Sequence, residues 1–283
     1  MVKPATLFYL VSLLLTVYIV IHTLTLAFYP QYIYTGERAI TKEEKPSEED
    51  RIALTETDEI YLPLPRKISN LTVEEAILFR RSIRRYTEEP VKLLDLAMIL
   101  WAAYGITETR HGLRASPSAG ATYPLEIYVV IGANGVYDEK IGFLTPGIYR
   151  YDVFKHSLLF LKEGDFRDEL CDAALGQEWV RNAPVNIVIT AIYERTTRRY
   201  GERGRERYVP MEVGHVGQNI YLMATALGYG TVAIGAFIDG RVAELLDIDV
   251  GEVPLYIMPI GVPAEPYRIT FEDIGDFILS KRG

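Results

Sequence analysis

The sequence is poor in the residues that build disulfide and metal sites. It holds one cysteine, Cys171, in 283 residues. A lone thiol excludes a disulfide scaffold and a cysteine-ligated zinc. Histidine is almost as scarce: His22, His111, His156 and His215 stand apart, with no two at metal-ligand spacing. A metalloenzyme is therefore not expected, and no metal site is assigned. Positive charge is also in deficit, with 30 Lys and Arg against 38 Asp and Glu, a net charge of −8 and a pI near 5.2. Neutralising nucleic-acid phosphates needs a basic surface, so no nucleic-acid partner is expected. Only five Asn and three Gln occur, beside 20 Tyr, a bias that fits a thermophile. Nucleotide motifs are missing too. Gly228 and Gly230 follow a helix pattern and precede a strand pattern, the reverse of the order a Rossmann fingerprint requires. The chain contains neither GxxxxGK[ST] nor a GxSxG nucleophile elbow.

What the chain does have begins with 25 residues, Ala5 to Tyr29, free of Asp, Glu, Lys and Arg. At about 1.5 Å per residue, such a helix exceeds the ~30 Å hydrocarbon core of a bilayer. Phe8, Tyr9, Phe28, Tyr29 and Tyr32 sit at its ends, where aromatic rings favour the interface. Residues 1–30 are thus expected to be a single-pass anchor. The competing reading is a cleaved signal peptide, with Lys3 as its n-region and Thr25-Leu26-Ala27 as the cleavage site. The apolar run is longer than the usual h-region. Lys3 and the amino terminus face Arg38, Lys42 and Lys45 across the span, a count that leans slightly toward a cytoplasmic body.

Residues 31–59 read as an acidic tether. Nine acids and four bases lie between Glu37 and Glu59, a composition typical of solvated linkers. Residues 60–283 are long enough for one domain. Within them Thr72 and Glu75 form a capping-box pattern for a helix reaching about Arg81. Leu93–Tyr104 reads as a second helix, apolar nearly all round and therefore buried. Periodicity predicts strands at Leu125–Ile131, Gly147–Asp152, Leu158–Lys162, Val185–Tyr193, Thr231–Phe237 and Leu255–Gly261. Helices are expected at Asp165–Leu175, Glu212–Leu227 and Val242–Leu246. The fold class is α+β around one sheet.

Three segments carry candidate chemistry. Arg80, Arg81, Ser82, Arg84 and Arg85 end the first helix. One or two cations there satisfy the helix macrodipole. Four guanidinium groups in six positions repel one another unless an anion joins them, which points to phosphate binding; plain surface decoration is the alternative. Pro117-Ser118-Ala119-Gly120 precedes a strand, and its small side chains admit a flat ligand or simply make a turn. The run from Arg195 to Arg207 holds six Arg and two Glu. It reads as a loop overhanging a site, with Tyr200 as its acid/base candidate. Cys171 sits in a helix pattern with Leu170 and Ala174 and reads as a buried thiol rather than a nucleophile.

Taken together, RRSIRRY (80–86), PSAGATYPLEIYVV (117–130), GIYRYD (147–152), GQEWV (176–180), RRYGERG (198–204), GHVGQNIYLMATALGYG (214–230), AIGAF (233–237) and PLYIMPIG (254–261) resemble the nitroreductase-like FMN flavoproteins. The resemblance is specifically to their SagB-type dehydrogenase branch, and it covers about residues 60–263. It implies a nitroreductase-like fold, a central mostly antiparallel sheet flanked by helices in an intertwined homodimer. FMN would lie at the subunit interface. By this resemblance Arg80, Arg81, Ser82 and Arg84 grip the phosphate, ribityl and pyrimidine regions. Pro117, Ser118, Ala119 and Gly120 pack near the isoalloxazine from the other subunit. Gln177 meets the pyrimidine edge, Gly235 and Ala236 address flavin N5, and Arg268 adds a phosphate contact. A Lys-Tyr pair abstracts protons in azoline-oxidising relatives; here it is matched by Arg199 and Tyr200. Arg stays protonated and is a poor base, which weakens the analogy with azoline oxidation. The implied activity is a membrane-tethered oxidoreductase moving hydride between NAD(P)H, as co-substrate, and a small organic acceptor such as a quinone or nitro compound. A dehydrogenase of a modified peptide or other ring, and a non-catalytic flavin-binding module, are the alternatives.

Overall fold

The computed structural model describes residues 59–282. The expected anchor (1–30) and nearly all of the tether (31–59) lie outside the described residues. Among the described residues no helix is long and apolar enough to cross a membrane.

A seven-stranded sheet forms the centre. Its strands are β1 (Glu59–Tyr61), β5 (Leu125–Ile131), β8 (Gly147–Asp152), β9 (Ser157–Glu163), β10 (Val185–Ile192), β11 (Gly230–Thr231) and β12 (Glu252–Gly261). Their spatial order is β1-β9-β8-β5-β10-β12-β11, and every neighbouring pair is antiparallel. Five short strands lie outside it in two small sheets: β2 (Val91–Lys92), β6 (Val136–Asp138) and β7 (Gly142–Phe143) form one, and β3 (Ile106–Glu108) and β4 (Leu113–Arg114) the other.

Both faces of the large sheet are covered, so its central strands are apolar on both sides. Ile127, Val129, Ile187 and Ile189 face one core, under α2 (Leu93–Tyr104) and α6 (Val209–Ala226). Tyr128, Val130 and Val188 face the other, under α3 (Arg167–Ala173), α4 (Glu178–Asn182) and α7 (Asp239–Leu246). Ten of the twelve residues of α2 are buried, as its all-round apolarity requires. The large sheet-facing side chains each gain about 1.5–3 kcal/mol from burial. Gly217 lets α6 approach the sheet closely, since a Cβ there would sit 3.2 Å from the Tyr256 ring.

The capping box forms as expected: Thr72 accepts from the Glu75 amide, and the Glu75 carboxylate accepts from the Thr72 amide, at the head of α1 (Val73–Phe79). Two expectations need correction. The strand Thr231–Phe237 is only β11 plus a bridge from Ile234 to Ile257. Beyond Thr231 the Ala233 amide turns to the Tyr221 hydroxyl at 2.8 Å instead of a neighbouring strand. The Arg195–Arg207 run is not a loop. It is α5 (Glu194–Tyr200) followed by a π-helical turn, Gly204–Tyr208, that leads into α6. Only Thr196 of α5 is buried, so no apolar periodicity marks it; the Glu194–Arg198 ion pair and Gly201 at its end are its local supports. A last helix, α8 (Phe271–Arg282), buries none of its residues.

Candidate active site

The expected site residues fall into two groups, and α6 joins them. The first group lies where the Arg80–Tyr86 segment crosses β11. The Ile83 amide donates to the Thr231 carbonyl at 2.9 Å, and Ser82 bridges Thr231 in parallel. The Ser82 and Tyr221 hydroxyls are 2.9 Å apart, and the Arg80 guanidinium lies over the Tyr221 ring at 5.1 Å. Arg84 stacks over Trp179 at 5.5 Å. Gln177, the residue before α4, donates from Nε2 to the Ala174 and Ala236 carbonyls, both at 2.8 Å. Arg80, Ser82 and Arg84 thus share a neighbourhood that Tyr221 and Thr231 anchor, and Gln177 is tied to Ala236 of the Gly235–Ala236 turn.

Arg81 makes contacts of its own. Its Nη1 donates to the carbonyls of Leu78 and Arg80, closing the end of α1, and its Nη2 reaches the Tyr267 hydroxyl at 2.7 Å. This is the macrodipole role that one basic residue suffices to fill. The segment after β12 runs back along these arginines: Thr87 and Ala264 pair with Val262 and Arg85 through their backbones, and Arg85 meets Glu265. Arg268 lies just beyond Tyr267, exposed, and among the described residues makes no hydrogen bond or ion pair.

The second group surrounds Pro117, Ser118, Ala119 and Gly120. The Tyr123 amide donates to Ser118 Oγ at 2.9 Å. Gly120 has φ of 61°, and a Cβ on it would come within 2.5 Å of the Tyr200 hydroxyl and 2.8 Å of Arg199 Nη1. A side chain there would adopt a left-handed backbone and push aside the tips of Tyr200 and Arg199, which glycine avoids. Arg199 and Tyr200, on the last turn of α5, therefore cover the loop. Thr122 and Thr196 tie the two segments at 2.8 Å. The Tyr200 and Tyr208 rings meet edge-on at 5.0 Å, and Arg203 Nε donates to the Tyr208 hydroxyl. Below the loop, Glu212 on the first turn of α6 accepts a 2.5 Å hydrogen bond from Tyr104. Burial pushes the Glu212 carboxyl above its usual range, while the nearby Ser118 and Tyr104 hydroxyls and the charge of Arg114 oppose that rise. Burial and the Glu212 charge push the Tyr104 phenol up, so Tyr104 remains a donor.

Tyr221 and Glu212 are nine residues apart on α6, about 13 Å of helix rise. The two groups therefore sit toward opposite ends of one helix. Residues that sequence reasoning missed are the supports: Tyr221, Thr231, Trp179, Tyr104 and Glu212. Glu212 had a signal, because it is an acid in register with Val216 and Ile220 on the buried face of α6.

The first group suits a phosphorylated ring. Among the described residues no carboxylate pairs with Arg80 or Arg84. The backbone N–H groups of Gly235 and Ala236 have no acceptor there either, and the buried Thr231 hydroxyl and Trp179 Nε1 are unpartnered. Unpaired cations beside unused donors match the phosphate and the acceptor-rich edge of FMN.

Comparisons with known proteins agree with this chemistry. The sequence profile of the Nitroreductase family matches residues 77–262. A Methanocaldococcus jannaschii protein named for its nitroreductase likeness, MJ1384, is 47% identical over 206 residues, covering 73% of this chain and 97% of its own. The trifolitoxin operon protein TfxC of Rhizobium leguminosarum bv. trifolii is 25% identical over 205 residues, 69% of this chain and 57% of its own. A crystal structure of a nitroreductase-like protein from Ralstonia eutropha JMP134 superposes with a TM-score of 0.63 at 27% identity, over 79% of this chain and 98% of that one. This chain belongs to the nitroreductase family, whose members are FMN-dependent oxidoreductases.

Proposed function

We propose that the protein is a membrane-tethered FMN oxidoreductase, acting as a homodimer, that transfers hydride between NAD(P)H or a similar donor and an organic acceptor such as a quinone or nitro compound. The observation that carries this reading is the split site. Its two groups lie about 13 Å apart along one helix, and a two-fold axis can bring one group of each protomer against the complementary group of the other. FMN, when bound, supplies a ring that accepts and releases hydride.

The chain's own residues divide the remaining work. Arg80 and Arg84 hold the phosphate and place positive charge near the ring, while Ser82, fixed by Tyr221, addresses the sugar alcohol. The Gly235 and Ala236 amides donate to the ring edge, and Gln177 holds that turn in place. Pro117–Gly120 from the second protomer present small side chains to the ring face, so a planar donor or acceptor can stack there. One pocket serves donor and acceptor in turn, and a separate nucleotide domain is unnecessary. The uncharged run Ala5–Tyr29 supports tethering, with the body on the cytoplasmic side. The full chain in detergent, loaded with FMN, should oxidise NADH or NADPH when given a quinone or nitroarene. Flavin that no donor reduces would sink the reading.

The likeness to a protein of a trifolitoxin operon supports a second reading, a dehydrogenase acting on a ring within a modified peptide. Here Tyr200, packed against Gly120, moves the proton. Tyr200→Phe should then abolish turnover at unchanged flavin content; retained turnover would remove Tyr200 from the chemistry.

A further inference from the structure

The arginines that follow β10 are not all spent. Arg195 pairs with Glu126, and Arg198 with Glu194. Among the described residues Arg203 and Arg207 pair with no carboxylate, although Glu206 stands three residues from Arg203, a spacing that helices use for ion pairs. The π-helical turn Gly204–Tyr208 sends Arg203 elsewhere. Such turns are rare and recur at functional sites; this one closes on the fifth residue, so Tyr208 comes round to Arg203 and accepts from its Nε at 3.0 Å. That bond holds the guanidinium by its inner nitrogen and leaves both Nη groups unspent. The Arg207 side chain makes no hydrogen bond among the described residues. Arg203, Glu206 and Arg207 line an open cavity of about 390 Å³, with one positive charge in excess.

Two tyrosine rings connect this cavity to the Pro117–Gly120 loop. Tyr208 meets Tyr200 edge-on at 5.0 Å, and a Cβ on Gly120 would lie 2.5 Å from the Tyr200 hydroxyl. A line of contacts thus runs from Gly120 through Tyr200 and Tyr208 to Arg203.

We propose that the cavity is an anion subsite, in which Arg203 and Arg207 take a carboxylate or phosphate at the far end of a substrate whose reacting ring lies at the loop. This rests on the reading that the loop packs on the flavin ring, and it names the class of molecule that reading left open. A guanidinium fork matches the paired oxygens of either group. The acid can belong to the acceptor or to the nucleotide donor. Glu206 reduces the pull of the site, so neutralising it tightens binding.

Equilibrium dialysis of the full chain in detergent separates the two sources. para-Nitrophenylbutanoate against para-nitrophenylbutanol tests an acid on the acceptor, and NADP+ against NAD+ tests an additional phosphate on the nucleotide. In one of these pairs the more anionic member should bind about fivefold more tightly, the upper range for solvent-exposed charges. Arg203→Ala/Arg207→Ala should erase that preference, and molar salt should weaken it. Glu206→Gln should increase it. Arg198→Ala removes the same charge from the same run, but from a pair with Glu194, and should leave the preference in place. No preference in either pair overturns the subsite. So does a preference that survives Arg203→Ala/Arg207→Ala, or one that Arg198→Ala removes equally. A chain that binds the anions yet turns over no substrate overturns the proposed function, and the dialysis still decides whether the cavity holds an acid.

Discussion

The two ends of α6 are built on opposite principles. Around Tyr221 the site is rich in charge and in unspent donors: Arg80 and Arg84 face no carboxylate among the described residues, and the Gly235 and Ala236 amides face no acceptor. Around Glu212 the polar groups are largely engaged with one another, and the unusual quantity is backbone strain. The first end is prepared for a ligand that brings negative charge and acceptors. The second offers shape, held in advance. A cofactor with a phosphate tail and a flat ring needs both, and a split of this kind lets each be optimised without disturbing the other.

Removing the charges should have the largest effect. In the Arg80→Ala/Arg84→Ala double variant, each lost charge-assisted hydrogen bond costs about 1.5–3 kcal/mol. FMN should bind at least roughly 100-fold more weakly by fluorescence quenching, while riboflavin, lacking the phosphate, should lose much less. Equal losses for the two ligands would break the assignment of this end to the phosphate.

The second end should respond through geometry. Gly120→Val forces a β-branched residue into φ of 61° and drives a Cβ into the Tyr200 hydroxyl. Displacements of about 1 Å can cost on the order of 100-fold in rate, so kcat should fall by roughly 10- to 100-fold. Full turnover in this variant would mean that the loop and Tyr200 do not act together.

Arg85 should matter least. It belongs to the same sequence run as Arg80 and Arg84, yet it pairs with Glu265 at 75% exposure on both sides. Exposed pairs contribute about 0–1 kcal/mol. Arg85→Ala should leave FMN affinity within about twofold and shift the denaturation midpoint only slightly; a loss matching that of Arg80→Ala would show that charge density, not position, governs the first end.

Much of this was legible in the linear chain, for identifiable reasons. The capping box at Thr72 and Glu75 is a local hydrogen-bonding pattern, so it could be read directly. The all-apolar Leu93–Tyr104 had nowhere to go but the interior. The central strands β5, β8, β9 and β10 carried their own periodicity. The arginine cluster could be singled out because like charges at close spacing demand an explanation. Reading failed where the partner came from far away. Thr231–Phe237 has strand composition, but the Tyr221 hydroxyl takes the Ala233 amide, so the ladder breaks after Thr231 and returns to β12 only at Ile234. Glu194–Tyr200 folds as a helix with one buried residue, so its periodicity could not announce it.

The sequence by itself determined the class of the fold, the apolar elements that form both cores, and the residue types gathered for an anionic ligand, because these depend on propensity, periodicity and local charge. Only the tertiary structure decided that Arg81 closes a helix while Arg80 stacks on Tyr221, that the buried Glu212 pairs with Tyr104, and that Gly120 lies against Arg199 and Tyr200. Those facts depend largely on contacts between segments roughly 80 to 140 residues apart. No local pattern encodes such distances; packing of α6 against the sheet brings the segments together and so fixes which charges stay unpaired and which are spent.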